Sequence, residues 1–93
     1  MLNHDKLNSV PLPKVHSAIN GITNQLQNHT PEVQLVAAAA FFILLTEAQD
    51  AHIGTAFEVA SNVMSDSQHM RRPEFRAAAE YIRKEMLGDS SDV

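Results

Sequence analysis

The last third of the chain carries a cluster of basic side chains, namely Arg71, Arg72, Arg76, Arg83 and Lys84. Arg72, Arg76 and Arg83 are separated by four and then seven residues, a spacing that places them on one side of a helix. Guanidinium groups arranged in this way can bind phosphates or the carboxylates of a partner protein. We therefore assign these five residues as a candidate partner-binding face.

The same cluster can also be interpreted as a solvated helix face. Glu80 follows Arg76 by four residues and precedes Arg83 and Lys84 by three and four, so local ion pairs are available. Each such pair contributes roughly 0.3 kcal/mol. A helix-turn-helix DNA-binding unit is a further alternative, but the segment 65–72 is longer than the turn of about 3–4 residues in that motif. The pattern therefore favours a protein partner over DNA.

Histidines and carboxylates in the first half of the chain are candidates for a divalent metal site. His16, His29 and His52 could converge with Glu47 and Asp50. Glu47 and Asp50 share a helical face that His52 does not, and the sequence contains no His-x-x-x-His or Glu-x-x-His pair. We expect no metal site and no cofactor.

Catalytic motifs are also missing from the sequence. None of the serines lies between the glycines of a nucleophile elbow, and the three glycines do not form a phosphate-binding loop. The chain has no cysteine, which excludes a thiol nucleophile, a disulfide framework and a thiolate zinc site. We expect a non-enzymatic protein.

Length, composition and charge indicate one globular domain. The chain has 93 residues, of which 44% are hydrophobic, and a formal charge of −4. Five basic residues outnumber three acidic ones between residues 69 and 88, whereas the rest of the chain is acidic. This balance disfavours non-specific nucleic-acid binding. Residues 1–13 lack the features of a secretory signal, so we expect a cytoplasmic protein.

Prolines and glycines divide the chain into four predicted helices. The first opens at Pro13 and runs to about Asn28, and the second opens at Pro31, after the capping residue Thr30, and runs to about Asp50. Gly54 would close the second helix, and the capping box from Thr55 to Glu58 would open the third. One long helix that continues through Gly54 is the alternative. The last helix runs from Pro73 to Gly88.

The second predicted helix is apolar on every side. Its residues 33–45 are apolar except for Gln34, a run shorter than the roughly 20 residues that cross a bilayer, so membrane insertion is the minor alternative. Such a helix must be covered by other helices or by a second subunit. We assign Val36, Ala40, Phe41 and Leu44 as a candidate dimer or partner surface. The alternative is a self-sufficient four-helix core in which these residues are interior.

Together these patterns predict an all-α protein, a compact bundle of three to four helices around a central apolar helix at about residues 31–50. Residues 1–12 are predicted to be a mobile segment, residues 13–88 a single helical domain, and residues 89–93 a disordered acidic tail. The predicted function is a non-catalytic protein-interaction module, a small adaptor or inhibitor that forms a homodimer. Small helical chains of this kind are common among bacterial and phage regulatory proteins, which is an analogy. The alternative is a nucleic-acid-binding regulator that uses the basic last helix.

Overall fold

The computed structural model describes residues 4–87 and shows an all-α fold, as predicted. Five helices follow one another in this range: α1 (His4–Asn8), α2 (Leu12–Leu26), α3 (Pro31–Ala48), α4 (Ile53–Val63) and α5 (Pro73–Leu87). Helices α2 to α5 correspond to the four predicted helices. Helix α1 was not predicted from the sequence and lies within residues 1–12, the segment predicted to be mobile. The predicted acidic tail, residues 89–93, lies outside the described residues.

The main packing contact in the fold joins α2 and α5. Phe75 and Ala78 of α5 are buried, and Val59 of α4 is buried with them. Thr23 of α2 is 1% exposed, and its hydroxyl donates a hydrogen bond of 2.8 Å to the carbonyl of Ile19, which satisfies the buried polar group. The core therefore lies where α4 and the α2–α5 pair meet.

The chain reverses direction between α3 and α4 at Asp50, whose φ of 55° is left-handed. The amide of Ala51 donates to the carbonyl of Thr46 at 2.8 Å, and the amide of Asp50 donates to the carbonyl of Glu47 at 3.1 Å. These two bonds form a Schellman motif, which closes a helix by pairing its last carbonyls. The region around Gly54 therefore contains two helices, and the break between them precedes Gly54.

Helix α4 begins earlier than the capping box predicted. His52 precedes the helix, and its Nδ1 accepts a hydrogen bond of 3.1 Å from the amide of Thr55. Gly54 and Thr55 consequently lie inside the first turn, so the predicted cap at Thr55 is wrong. An imidazole nitrogen here satisfies a free amide at the helix start, a role that usually falls to Ser, Thr, Asp or Asn.

The position of α3 differs from the prediction. The molecule measures 46 × 31 × 19 Å, and its smallest dimension corresponds to about two helix diameters of roughly 10 Å each. A slab of two layers cannot enclose one helix with others on every side. Because α2 packs mainly against α5, α3 lies at the edge of the fold, where it packs against α4. A central α3 is therefore not observed.

The buried residues of α3 are its polar ones. Gln34 is 8% exposed, and its Nε2 donates to the carbonyls of Leu26 at 3.0 Å and His29 at 2.9 Å, which ties the start of α3 to the end of α2. Thr46 is 6% exposed and donates to the carbonyl of Ile43 at 2.8 Å. Gln34 thus ties the start of α3 to the end of α2, whereas the hydrogen bond of Thr46 lies within α3 itself, and most of the apolar side chains of the helix are exposed.

Candidate functional site

The first candidate site is the exposed apolar side of α3. Seven large apolar side chains of this helix have exposed fractions between 39% and 73%. Together with the exposed Ala40 we call them the α3 apolar surface: Val33, Leu35, Val36, Ala40, Phe41, Ile43, Leu44 and Leu45. All four residues assigned from the sequence as a dimer or partner surface belong to it, and the structure leaves each of them exposed.

The middle of the α3 apolar surface is a continuous stripe. Val33, Val36, Ala40 and Leu44 follow at steps of three, four and four residues, which places them on one face of the helix. An alanine at the middle of the stripe allows the backbone of a neighbouring helix to approach closely, and the larger side chains on either side flank that approach. A stripe with a small residue at its centre and larger residues on either side is suited to packing against another helix.

The area of the α3 apolar surface is that of an interface. If each of its large side chains presents about 150–200 Å² when free and roughly half of that is exposed here, the exposed apolar area is roughly 700 Å² in total. This area surrounds most of the helix, because Leu35 and Leu45 lie on the sides away from the stripe. The largest apolar patch of an ordinary monomer is about 300–600 Å². A specific protein interface buries about 800 Å² on each partner. The exposed apolar area is therefore large for a monomer, and one partner helix could cover the part of it that lies along and beside the stripe.

Helix α3 also has the length and composition of a membrane span. Its 18 residues have a mean hydropathy of 1.5, and 11% of them are buried. The helix is about 27 Å long, slightly less than the roughly 30 Å of a hydrocarbon core. Gln34 and Thr46, one near each end, pack against the rest of the chain. The chain's own fold thus covers α3 near its two ends, and most of the helix between them is exposed.

The second candidate site is built by the loop between α4 and α5. Ser65 and Arg71 form an antiparallel bridge across this loop. Inside it, the Asp66 carboxylate accepts hydrogen bonds of 2.9 Å from the amides of Gln68 and Met70. These two bonds stabilise the charged form and lower the pKa of Asp66 below its usual range. The segment 65–72 is therefore an ordered turn.

This turn brings basic side chains together in a groove of about 430 Å³ beside α5. His69, which has a left-handed φ of 63°, lies at the tip of the turn. We call the site the arginine groove, and its lining residues are Ser65, His69, Arg71, Arg76, Ala79, Glu80 and Arg83. The participation of Ser65 and His69 was not predicted, although the Ser-Asp-Ser sequence at 65–67 is typical of a turn that folds back on itself.

The structure divides the predicted basic face into three parts. Arg71, Arg76 and Arg83 line the arginine groove. Arg72 is half-buried, and its Nε donates to the carbonyl of Val63 at 3.0 Å, so it joins the loop to α4 instead of facing a partner. Lys84 is exposed and does not line the groove. Helical spacing alone could not separate these roles, because the turn before α5 redirects Arg71 and Arg72.

The predicted local ion pairs are not formed in the described part of the chain. Within residues 4–87, no carboxylate lies at ion-pairing distance from Arg71, Arg76 or Arg83, although Glu80 lies on the same groove wall. Arg76 instead donates through Nη1 to the carbonyl of Arg71 at 2.6 Å. Three arginines thus line one groove with Glu80, and the Asp66 carboxylate of the same turn interacts electrostatically with Arg76.

A separate cavity, of about 270 Å³, lies among α1, α2, α4 and α5 and is lined by apolar side chains. Leu7 and Val10 close it from the N-terminal side, Val15 and Ile19 from α2, and Phe75 from α5. It contains no polar group that could orient a ligand, which is what specific small-molecule sites use. We interpret this cavity as a gap in the small core.

The described residues contain no group of three or more His, Asp or Glu side chains that could hold a metal ion. The histidines and carboxylates considered in the sequence therefore do not converge within residues 4–87. A scan against protein-family models, a search of curated proteins and a search of solved structures each found no match.

Proposed function

We propose that this chain is a non-catalytic protein-interaction module, a small cytoplasmic adaptor or inhibitor, and that it forms a homodimer through the α3 apolar surface. One observation carries the proposal. Seven large apolar side chains on a single helix are exposed by 39–73% in the isolated chain. Exposed apolar area of this size is costly in water, and association with another surface removes that cost.

A second copy of the same chain is the occupant that best matches this surface. Two α3 helices packed antiparallel about a two-fold axis at Ala40 would place Val36 of each chain opposite Leu44 of the other. The central alanines would permit close approach, and the helix dipoles would oppose each other favourably. Each copy would contribute the stripe and the side chains beside it, so the contact would bury less than about 1,400 Å² in total, toward the lower end of the range for specific interfaces.

The polar residues of α3 are compatible with this arrangement. Glu32 and Glu47 lie at the two ends of the helix, at the solvated rim of the interface. Glu32 of one copy would lie near Glu47 of the other, where water and salt screen the repulsion between the two carboxylates. Gln34 and Thr46 are already buried against the chain's own fold. The exposed side of α3 therefore brings no internal charge into the contact, so association carries no cost of burying an unpaired ion.

The solution mass of the purified protein across a wide concentration range tests the proposal. Light scattering coupled to size exclusion should give twice the 10.3 kDa chain mass. Because apolar burial drives the contact, the dimer should persist when the salt concentration is raised. A protein that remains monomeric at every accessible concentration would refute the homodimer.

The nucleic-acid alternative is supported by one observation, the convergence of Arg71, Arg76 and Arg83 on one groove. With Arg72 bonded internally and Lys84 outside the groove, about three phosphate contacts are available. Three contacts predict that the logarithm of the binding constant falls with the logarithm of salt with a slope of about −3. Titration of duplex DNA at several salt concentrations would reveal that slope if nucleic acid were the ligand.

A further inference from the structure

We propose that the arginine groove is a binding site for a phosphate monoester carried on a peptide, such as a phosphorylated serine of a partner protein. The groove is separate from the α3 apolar surface. The proposal adds a ligand chemistry to the interaction module, and it does not require dimerisation, so the two proposals can fail independently.

The charge and geometry of the groove carry the inference. Arg71, Arg76 and Arg83 line one space of about 430 Å³, and no carboxylate of the described residues forms an ion pair with them, although the Asp66 carboxylate interacts electrostatically with Arg76. A phosphate monoester carries close to two negative charges and three acceptor oxygens at neutral pH. A carboxylate carries a single negative charge and two acceptor oxygens, so it would neutralise less of the positive charge of the groove. The charge of the groove therefore favours a phosphate over a carboxylate.

The architecture of the turn preorganises part of this site. The bridge between Ser65 and Arg71 and the hydrogen bonds accepted by Asp66 hold the loop backbone in place. The bond from Arg76 Nη1 to the carbonyl of Arg71 orients one guanidinium along the groove. His69 and Ser65 add a ring nitrogen and a hydroxyl to the lining. Side chains that are held before binding lose less conformational freedom when the ligand arrives.

Glu80 favours a peptide over a nucleic-acid backbone. Its carboxylate lies on the groove wall among the arginines, where a continuous row of phosphates would meet it. The whole chain also carries a net charge of −4, which repels an extended polyanion. A single phosphate with neutral neighbours avoids both penalties, and peptide amides beside it could donate to Glu80.

The test is an NMR titration of the full chain with a short phosphoserine peptide and its unphosphorylated counterpart at neutral pH. We expect the phosphopeptide to shift the amide signals of residues 69–71 and of α5, and the unphosphorylated peptide to leave them in place. The matched variants are Arg83→Gln and Lys84→Gln, which remove the same charge from adjacent positions inside and outside the groove. Arg83→Gln should weaken binding about tenfold or more, and Lys84→Gln less than about twofold.

Several results would overturn the proposal. Equal weakening by the two variants would show that a diffuse positive field, and not the groove, attracts the peptide. Binding of inorganic phosphate without binding of the phosphopeptide would show that the site accepts the free ion only. Tighter binding of a DNA oligonucleotide than of the phosphopeptide, lost in Arg83→Gln, would replace this ligand with nucleic acid. Retention of the wild-type amide spectrum outside the groove shows that the variants are folded.

Discussion

Replacement of Leu44 by glutamate is the sharpest perturbation of the α3 apolar surface. Leu44 is 61% exposed in the isolated chain, so the fold does not depend on it, whereas the proposed dimer would bury it in both copies. We expect Leu44→Glu to dissociate the dimer and to leave each chain folded. Leucine and glutamate have similar helix propensities, and the added repulsion with Glu47 three residues away costs about 0.2–0.5 kcal/mol.

The magnitude follows from the exposed fraction. Complete burial of a leucine side chain is worth about 1.5–3 kcal/mol, so burial of the 61% that is free contributes roughly 1–2 kcal/mol per chain. The two-fold symmetry doubles this to about 2–4 kcal/mol, which corresponds to a roughly 30- to 1,000-fold rise in the dimer Kd. Placing two carboxylates in the interface adds a desolvation cost, so the rise should lie toward the upper end of that range.

Sedimentation or light scattering over a concentration series measures this change, and far-UV circular dichroism checks the helix content. Met70→Glu is the matched control, because Met70 is 60% exposed and lies in the loop before α5, away from α3. The substitution introduces the same charge as Leu44→Glu. It should leave the dimer intact. A Leu44→Glu protein that still dimerises like the wild type, or a Met70→Glu protein that dissociates equally, would show that α3 is not the contact.

Three further predictions concern the fold. Gln34→Leu removes two capping hydrogen bonds and should lower the free energy of unfolding, measured in urea, by about 1–2 kcal/mol. The control Gln25→Leu, at an exposed site of α2, should change it by less than about 0.5 kcal/mol. Equal effects of the two variants would contradict the role of Gln34. Phe75→Ala, which empties a 4% exposed core position, should cost about 3–5 kcal/mol by the same assay, and a loss below about 1 kcal/mol would show that the core is not there. Because folding lowers the pKa of Asp66, its contribution to stability is complete above the unfolded value of about 3.9 and is lost as the pH falls through the folded value. Asp66→Asn should therefore reduce the loss of stability on acidification, and an unchanged acid profile of urea midpoints would refute this.

The two candidate sites differ in how far the sequence could predict them. Val36, Ala40, Phe41 and Leu44 were selected because α3 is apolar on every side, and the structure leaves all four exposed. The arginine groove was predicted less completely. Residue spacing along α5 relates Arg76 to Arg83. The position of Arg71 depends on the preceding turn, which also brings His69 into the groove, and helical spacing does not apply to either residue because both precede α5.

Local chemistry in the sequence determined where most helices lie. Pro31 and Pro73 begin α3 and α5 because a proline at the first turn loses no intrahelical hydrogen bond and has a helical φ. The proline and glycine breaks and the capping residues likewise predicted the all-α class, which the structure confirms. The predicted start of α4 was wrong because His52 and Thr55, three residues apart, can both act as the N-cap. The sequence alone does not show which of the two N-caps is more stable.

Only the tertiary structure decided which apolar face is covered. The faces of α2, α4 and α5 have similar periodic patterns, and their pairing depends on how side chains from distant parts of the chain fit together. The result places Gln34 inside and Leu35, 73% exposed, outside, which is the reverse of what polarity predicts. Gln34 is buried because it completes hydrogen bonds at the end of α2, and Leu35 remains free because a slab of two helix layers has no third layer to cover it.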